Sequence, residues 1–139
     1  MVMHMTQFTS SKVEFDRFEN RRRYPRIVLD HNAHLYLPGG QPVNVILHDI
    51  SECAIQARFN AGTEETIRLA LQLTDKPVLG VRFKFKLHNN VDDVYVHCSP
   101  VCICQLDQDI FAMGLQFSDL ESKYEKLINK FIEISMEPQ

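Results

Sequence analysis

The chain has 139 residues and a mass of 16.2 kDa, which is the size of a single domain. Its apolar fraction of 45% and its charged fraction of 24% are typical of a globular protein and exclude wholesale disorder. The formal net charge of −3, from 15 basic and 18 acidic side chains, argues against a general binder of DNA or RNA, because such domains are usually clearly basic.

The average charge hides one short basic segment. Five of the eight arginines lie between residues 17 and 26, where Glu19 is the only acid. Residues 17–26, the basic segment, therefore carry +4, and the rest of the chain carries −7. A compact cationic strip on an acidic body predicts a small anionic ligand rather than a long polyanion.

The N-terminal sequence has no cationic region followed by an apolar run, so it does not resemble a secretory signal. The apolar stretches are a few residues long, far below the ~20 residues that a membrane helix requires. We expect a cytoplasmic protein without membrane insertion, whose four cysteines are reduced thiols.

Residues 1–20 are expected to form a flexible N-terminal arm, because the first ten residues are polar and lack periodicity, as in a loose tail. Ser11 and Glu14 have the spacing of a capping box, so a short helix or an irregular segment is expected over residues 12–22. Pro25 then favours extended backbone, after which strands begin.

Most of the remaining chain alternates apolar and polar side chains, which predicts short strands. A turn is predicted at Pro38–Pro42, a short strand at Ala54–Phe59, and a bulge or an edge at Pro100. The clearest alternating apolar positions are Leu35, Leu37, Val43, Val45, Leu47, Val81, Phe83, Phe85, Leu87, Val94 and Val96.

Residues 60–80 fit two structures. Ile67, Leu69, Leu71 and Leu73 alternate with less apolar residues, which favours a strand and is the interpretation we prefer. Thr63, followed by two glutamates, would equally suit the start of a helix.

The C-terminal region predicts a helix over residues 118–136 that packs on the strands, with Ser118 and Glu121 as a capping box. Its apolar side chains recur at helical spacing as one stripe, formed by Leu120, Tyr124, Leu127, Ile128, Phe131 and Ile132. About six short strands with one terminal helix predict an all-β fold with a C-terminal helix, in which a barrel domain spans residues 21–120.

Two motifs follow one another in the N-terminal half. Arg22 and Arg26 have an R-x-x-x-R spacing, and Asp49 and Ser51 follow about two dozen residues later. This pair resembles the signature of the PilZ domain family, an R-x-x-x-R arm followed by [D/N]-x-S-x-x-G. The run Met113–Phe117 ahead of a helix is also similar to the way in which PilZ domains close their barrel.

The resemblance implies a six-stranded antiparallel PilZ-like β-barrel and a receptor for cyclic di-GMP rather than an enzyme. It implies that Arg22, Arg26, Asp49 and Ser51 contact the ligand. Arg21 lies directly before the R-x-x-x-R motif. By the resemblance, an arginine at this position accompanies binding of an intercalated ligand dimer, and hence of two ligands per chain. Binding would change the surface offered to an unidentified protein effector, and no metal or other cofactor is expected.

The residue types suit this ligand by their own chemistry. Cyclic di-GMP carries two phosphate charges and two guanine bases. A guanidinium pairs bidentately with phosphate oxygens or with guanine O6 and N7, and it stacks on a purine face. The Asp49 carboxylate suits the N1–H and N2–H₂ donors of guanine, and Ser51 offers a small hydroxyl.

One residue departs from the family motif. Ala54, which by the resemblance is also a ligand-binding residue, stands where the motif has glycine, and alanine disfavours a positive φ. If that position requires a positive φ, the loop geometry shifts and ligand affinity falls. The alternative function is therefore a PilZ-like interaction scaffold that does not bind nucleotide, and a small RNA-binding barrel that uses the same arginines is a third.

Simpler explanations exist for several of these residues. The arginines can form a solvated basic arm, Ser51 can hydrogen-bond its own turn, and Asp49 can cap that turn.

Cys98 and Cys104 would lie roughly 20 Å apart on an extended strand, so core thiols are expected rather than a zinc site. No Ser-His-Asp, Walker or Rossmann pattern is present, in keeping with a protein that is not an enzyme.

Overall fold

The computed structural model describes residues 5–7, 25–87 and 90–137. Their strands are β1 (Met5–Gln7), β2 (Ile27–Tyr36), β3 (Pro42–Ile50), β4 (Ala54–Phe59), β5 (Leu79–Leu87), β6 (Asn90–Asp107) and β7 (Ile110–Asp119). Their helices are α1 (Ala61–Leu71), between β4 and β5, and α2 (Ser122–Ser135), after β7. Neither of these helices has the length and hydropathy that crossing a bilayer requires.

Six of the strands close into a ring. They run in the order β6-β5-β2-β3-β4-β7, each pair is antiparallel, and β7 pairs back with β6. Alternate side chains point inward, so that Val45 and Leu47 are buried while Asn44 and Ile46 face outward on β3. The predicted six-stranded antiparallel barrel with a C-terminal helix is confirmed.

A glycine turn joins the first two strands of the ring. Gly39 and Gly40 have φ values of +95° and +87°, which residues with a Cβ rarely adopt. The Gly40 N–H donates to the Leu37 carbonyl at 2.8 Å, and the Leu37 N–H donates to the Gln41 carbonyl at 2.9 Å. The turn predicted at Pro38–Pro42 is confirmed, and it sets the register of β2 against β3.

The core that fills the ring is mainly aliphatic. Its largest fully buried side chains are Leu35, Leu47, Ile50, Ile55, Ile67, Leu79, Val81, Ile103, Met113, Leu115 and Ile128. Cys98 and Cys102 are buried thiols outside any disulfide, as predicted for a core role. Burial raises the pKa of the Cys98 thiol far above its ordinary range, so this thiol stays protonated at neutral pH.

Residues 61–71 form a helix, so the preferred strand prediction for this segment is wrong. Asn60 is the N-cap, and its side-chain oxygen accepts a hydrogen bond from the Thr63 N–H at 2.9 Å. Ile67 and Leu71, one turn apart, are the buried residues of α1 and belong to the core of the barrel.

Strand β6 takes part in three ladders. Its first part pairs with β5, its second part pairs with β7, and the register shifts just after Pro100, so the bulge predicted there is confirmed. The β5 ladder ends at Cys98, and further along β6 Met5–Gln7 pairs with Cys102–Cys104. The loose-tail prediction for residues 1–10 is therefore wrong at Met5–Gln7, because β6 beyond β5 offers an edge for pairing.

Helix α2 begins later than predicted. Ser118 still belongs to β7, which pairs with β6 as far as Asp119. The N-cap is Glu121, whose side chain makes no capping hydrogen bond, so the predicted capping box of Ser118 and Glu121 is wrong. Ile128 and Ile132 reach the core and the rest of the stripe is partly buried, so the predicted apolar stripe is confirmed.

Candidate functional site

An ion pair joins the two sequence motifs. Arg26 lies one residue before β2, and Asp49 lies near the end of β3, opposite Val28. Nη1 of Arg26 is 3.2 Å from Oδ2 of Asp49, and the two side chains are 17% and 11% exposed. The pair is thus largely shielded from water, where charge pairing is stronger than on an open surface. The second arginine of the R-x-x-x-R spacing contacts the aspartate of the second motif, 23 residues away.

Ser51 is buried in the turn that joins β3 to β4 and is 4% exposed. Its Oγ accepts a hydrogen bond from the Cys53 N–H at 3.3 Å and donates to the Ala54 carbonyl at 3.4 Å. The Ser51 N–H also donates to the Ala54 carbonyl, at 2.8 Å, and the Phe117 N–H of β7 donates to the Cys53 carbonyl at 3.0 Å. The Ser51 hydroxyl therefore makes hydrogen bonds within its own turn, which is the simpler of the two roles considered for it from the sequence.

Ala54 begins β4 with ordinary extended backbone. Among the described residues other than glycine, Asp30 alone has a positive φ, so the φ of Ala54 is negative. Ala54 is buried and pairs with Gln116 of β7. This backbone accommodates alanine without strain, which removes the structural reason for expecting a distorted loop in place of the family glycine.

We call the region formed by Arg26, Asp49, Ser51 and Ala54 the β2–β3–β4 corner. These are four of the predicted ligand-binding residues, and the ladders of β2, β3 and β4 bring them to one end of the barrel. Arg21 and Arg22 lie outside the described residues, as does the helix or irregular segment predicted over residues 12–22.

A second pair, which the sequence did not reveal, lies beside the corner. Asp30 has a φ of +50° at a bulge of β2 between Val28 and His31, a conformation that aspartate tolerates better than most residues. Its Oδ1 lies 2.8 Å from Nδ1 of His48 on β3. Because His48 directly precedes Asp49, the pair extends the polar corner along β2. No local pattern marks this bulge, so no sequence signal could have found the contact.

The side chains of the corner and its extension are a guanidinium, two carboxylates, an imidazole and a hydroxyl. Such groups recognise anions and the edges of nucleobases. Within residues 5–7, 25–87 and 90–137, no three histidine, cysteine, aspartate or glutamate side chains are grouped so that they could hold a metal ion.

No family model and no curated protein matches this sequence. Solved structures with a similar fold do exist. The PilZ domain of YcgR from Escherichia coli, solved with c-di-GMP, has a TM-score of 0.54 at 13% identity, over 82% of this chain and 90% of that chain. The inhibitor of motility MotI/DgrA of Bacillus subtilis has a TM-score of 0.65 at 13% identity, over 82% of this chain and 50% of that chain.

MrkH of K. pneumonia, solved as a complex with c-di-GMP, has a TM-score of 0.55 at 17% identity, over 81% of this chain and 51% of that chain. This chain spans about half the length of MotI/DgrA and of MrkH and most of the YcgR domain. Identities this low show a shared fold and leave function to be argued from the site. The ring of six antiparallel strands with its C-terminal helix is a PilZ-like fold.

Proposed function

We propose that the protein is a cytoplasmic receptor for cyclic di-GMP, which acts on a protein effector and catalyses no reaction. The observation that carries this proposal is the ion pair of Arg26 and Asp49. It joins the R-x-x-x-R spacing to the second motif, on a fold that is shared with a PilZ domain solved with c-di-GMP. Arg21, Arg22, Arg26, Asp49, Ser51 and Ala54 are the proposed ligand-binding residues.

The pairing of Arg26 with Asp49 suits a clamp for a phosphate-bearing ligand. A long arginine side chain loses about 2 kcal/mol of rotamer entropy when it is held in one geometry. Asp49 already holds the Arg26 guanidinium at the corner, so less of that loss accompanies ligand binding. Arg21 and Arg22 would supply further guanidinium groups for the second phosphate and for the faces of the guanines.

Ligand binding would bring residues 21–25 against the β2–β3–β4 corner. Neutralisation of the arginines by the phosphates would then change both the charge and the shape of this end of the barrel. Such a change of surface is a common way to pass a signal to a protein partner. The acidic remainder of the chain would meanwhile repel nucleic acid from the same site.

A titration of the purified protein tests the proposal. We expect saturable binding of cyclic di-GMP by isothermal titration calorimetry, with two ligands per chain, which neither GTP nor an oligonucleotide displaces. We expect the Arg21→Ala variant to bind one ligand, because the cation that would pair with the second molecule is removed. The isotherms of the wild type and of the Arg21→Ala variant give the two stoichiometries.

The controls separate the candidate functions. A wild-type isotherm that saturates at one ligand per chain would contradict the dimer, and no heat with cyclic di-GMP would contradict the receptor. Oligonucleotide binding that weakens steeply with salt would indicate an RNA-binding barrel instead.

A PilZ-like interaction scaffold that does not bind nucleotide is the second candidate. The contacts within the corner favour this candidate. The Asp49 carboxylate contacts Arg26, and the Ser51 hydroxyl bonds within its own turn. A scaffold needs no rearrangement of these contacts, whereas direct recognition of a ligand by Ser51 requires its turn to open.

The Ala54→Gly variant tests whether the missing family glycine matters. We expect its affinity for cyclic di-GMP to change by less than about threefold, because Ala54 already has strand backbone without strain. We expect the free energy of unfolding to fall by about 0.5–1 kcal/mol, because glycine leaves more conformational entropy to the unfolded chain. Calorimetry and urea unfolding measure the two quantities, and a large gain in affinity would show that the alanine hinders the ligand.

A further inference from the structure

The wall of the barrel opens between β2 and β5. These strands pair only where Ala33–Tyr36 face Gly80–Phe83, although β2 begins at Ile27 and β5 continues to Leu87. Past the last ladder pair, Nδ1 of His31 donates a hydrogen bond across the gap to the Lys84 carbonyl at 3.2 Å. The opening forms a cleft of about 620 Å³ on the outer surface, which we call the β2–β5 cleft.

The β2–β5 cleft is polar and carries cations. Arg82 and Lys84 come from β5, and Asn32 and His34 come from β2. Lys84 is exposed and makes no ion pair with any residue that the structure describes. A multiply charged anion would therefore meet two cations on the β5 wall and hydrogen-bonding groups on the β2 wall.

The two carboxylates of the cleft are already engaged by cations or by an imidazole of the protein. Oδ2 of Asp93 lies 3.1 Å from Nη1 of Arg82, and Oδ1 of Asp30 lies 2.8 Å from Nδ1 of His48. The Arg82 guanidinium offsets the negative charge of Asp93, which reduces the repulsion that this carboxylate would exert on an anion in the cleft.

Arg82 is held in position by two neighbours of the outer surface, Asp93 and Tyr95. Asp93 contacts its guanidinium, and the guanidinium carbon lies 5.2 Å from the centre of the Tyr95 ring, within the range of a cation–π interaction. The Tyr95 ring lies over Gly80, where a Cβ would collide with it, and the Tyr36 ring packs edge-on at 5.9 Å. An arginine that is fixed before binding loses less entropy when a ligand arrives.

We propose that the β2–β5 cleft is a second binding site, separate from the β2–β3–β4 corner, for a phosphate-bearing small molecule of nucleotide size. Its volume lies within the roughly 300–1,000 Å³ of small-molecule sites. The Arg82 guanidinium would take two phosphate oxygens in a fork and the Lys84 ammonium a third. Asn32 and His34 would donate to or accept from the sugar or base.

Titrations of the full chain with pyrophosphate and with ATP, in a buffer free of phosphate, test this site. We expect saturable binding of both probes, with amide chemical-shift changes in the ¹⁵N spectrum centred on residues 31–34 and 82–84. Tighter binding of ATP than of pyrophosphate would place the nucleoside within the cleft. Failure of both probes to saturate, or shifts confined to other regions, would overturn the proposal.

A charge-matched pair of variants locates the binding. The double variant Arg82→Gln/Lys84→Gln is expected to weaken the binding of pyrophosphate by about tenfold or more, because both charge-assisted contacts are lost. The control Lys126→Gln/Lys130→Gln removes two exposed charges from α2 and is expected to bind like the wild type. Equal affinities in the two double variants would overturn the proposal.

The same variants show whether the cleft and the corner are separate. Arg82→Gln/Lys84→Gln is expected to bind cyclic di-GMP with wild-type affinity, since neither residue belongs to the corner. A parallel loss of cyclic di-GMP binding would show one continuous site and would contradict a second, separate one. Pyrophosphate binding does not depend on the receptor proposal, so either proposal can fail alone.

Discussion

The Arg26→Ala variant is expected to bind cyclic di-GMP roughly a hundredfold more weakly than the wild type and to unfold at a lower temperature. The affinity falls because a guanidinium that pairs bidentately with phosphate or guanine contributes about 1–3 kcal/mol, and Arg26 also organises the corner. The stability falls because the Asp49 carboxylate, which is 11% exposed, loses its ion pair with the Arg26 guanidinium. Removing one partner of such a shielded pair costs about 2–3 kcal/mol.

Calorimetry and thermal unfolding, run on the same preparations, separate the two effects of this substitution. Arg22→Ala tests the first arginine of the spacing, and we expect the same loss of affinity with the barrel still folded. Arg68→Ala is the matched control, because its guanidinium pairs with Glu64 on α1 and lies outside the corner. Wild-type affinity in either Arg22→Ala or Arg26→Ala would remove that arginine from the proposed site.

Ile67→Ala is expected to lower the free energy of unfolding by about 2–4 kcal/mol, whereas Leu69→Ala is expected to change it by less than about 0.5 kcal/mol. Ile67 is fully buried, and truncation leaves a cavity in the core. Leu69 is 52% exposed on the outer side of α1, so its truncation removes few contacts. Urea unfolding, followed by circular dichroism, measures both changes.

This pair of variants distinguishes the helix from the strand that the sequence favoured. In a strand, residues 67 and 69 share one face, and both truncations would be costly. In a helix, Ile67 shares its face with Leu71 instead. Similar losses in Ile67→Ala and Leu69→Ala would contradict the helix over residues 61–71.

The misleading pattern of this segment has a physical origin. Ile67, Leu69, Leu71 and Leu73 alternate as in a strand, but the structure leaves Leu69 and Leu73 largely exposed. Local periodicity cannot show which apolar side chains the rest of the molecule covers. The capping of the helix by Asn60 decides the outcome locally, and burial of one face against the barrel stabilises it.

At the C-terminal end of the barrel, too, contacts with the rest of the molecule override a local sequence pattern. Ser118 and Glu121 have the spacing of a capping box, yet β7 continues past Ser118 because β6 offers it a partner as far as Asp119. At the other end of the chain, Met5–Gln7 adds to β6 beyond the β5 ladder. In both places the hydrogen-bonding groups of a distant strand determine where an element ends or forms.

By itself, the sequence determined the barrel, the apolar stripe of the terminal helix and the two motifs of the corner, because alternation and spacing are local properties of the chain. The tertiary structure alone decided that Arg26 pairs with Asp49, that the Ser51 hydroxyl bonds its own turn, and that β2 and β5 separate into a cleft. These features depend on register, bulges and shielding from water, which arise only when residues far apart in the chain are brought together.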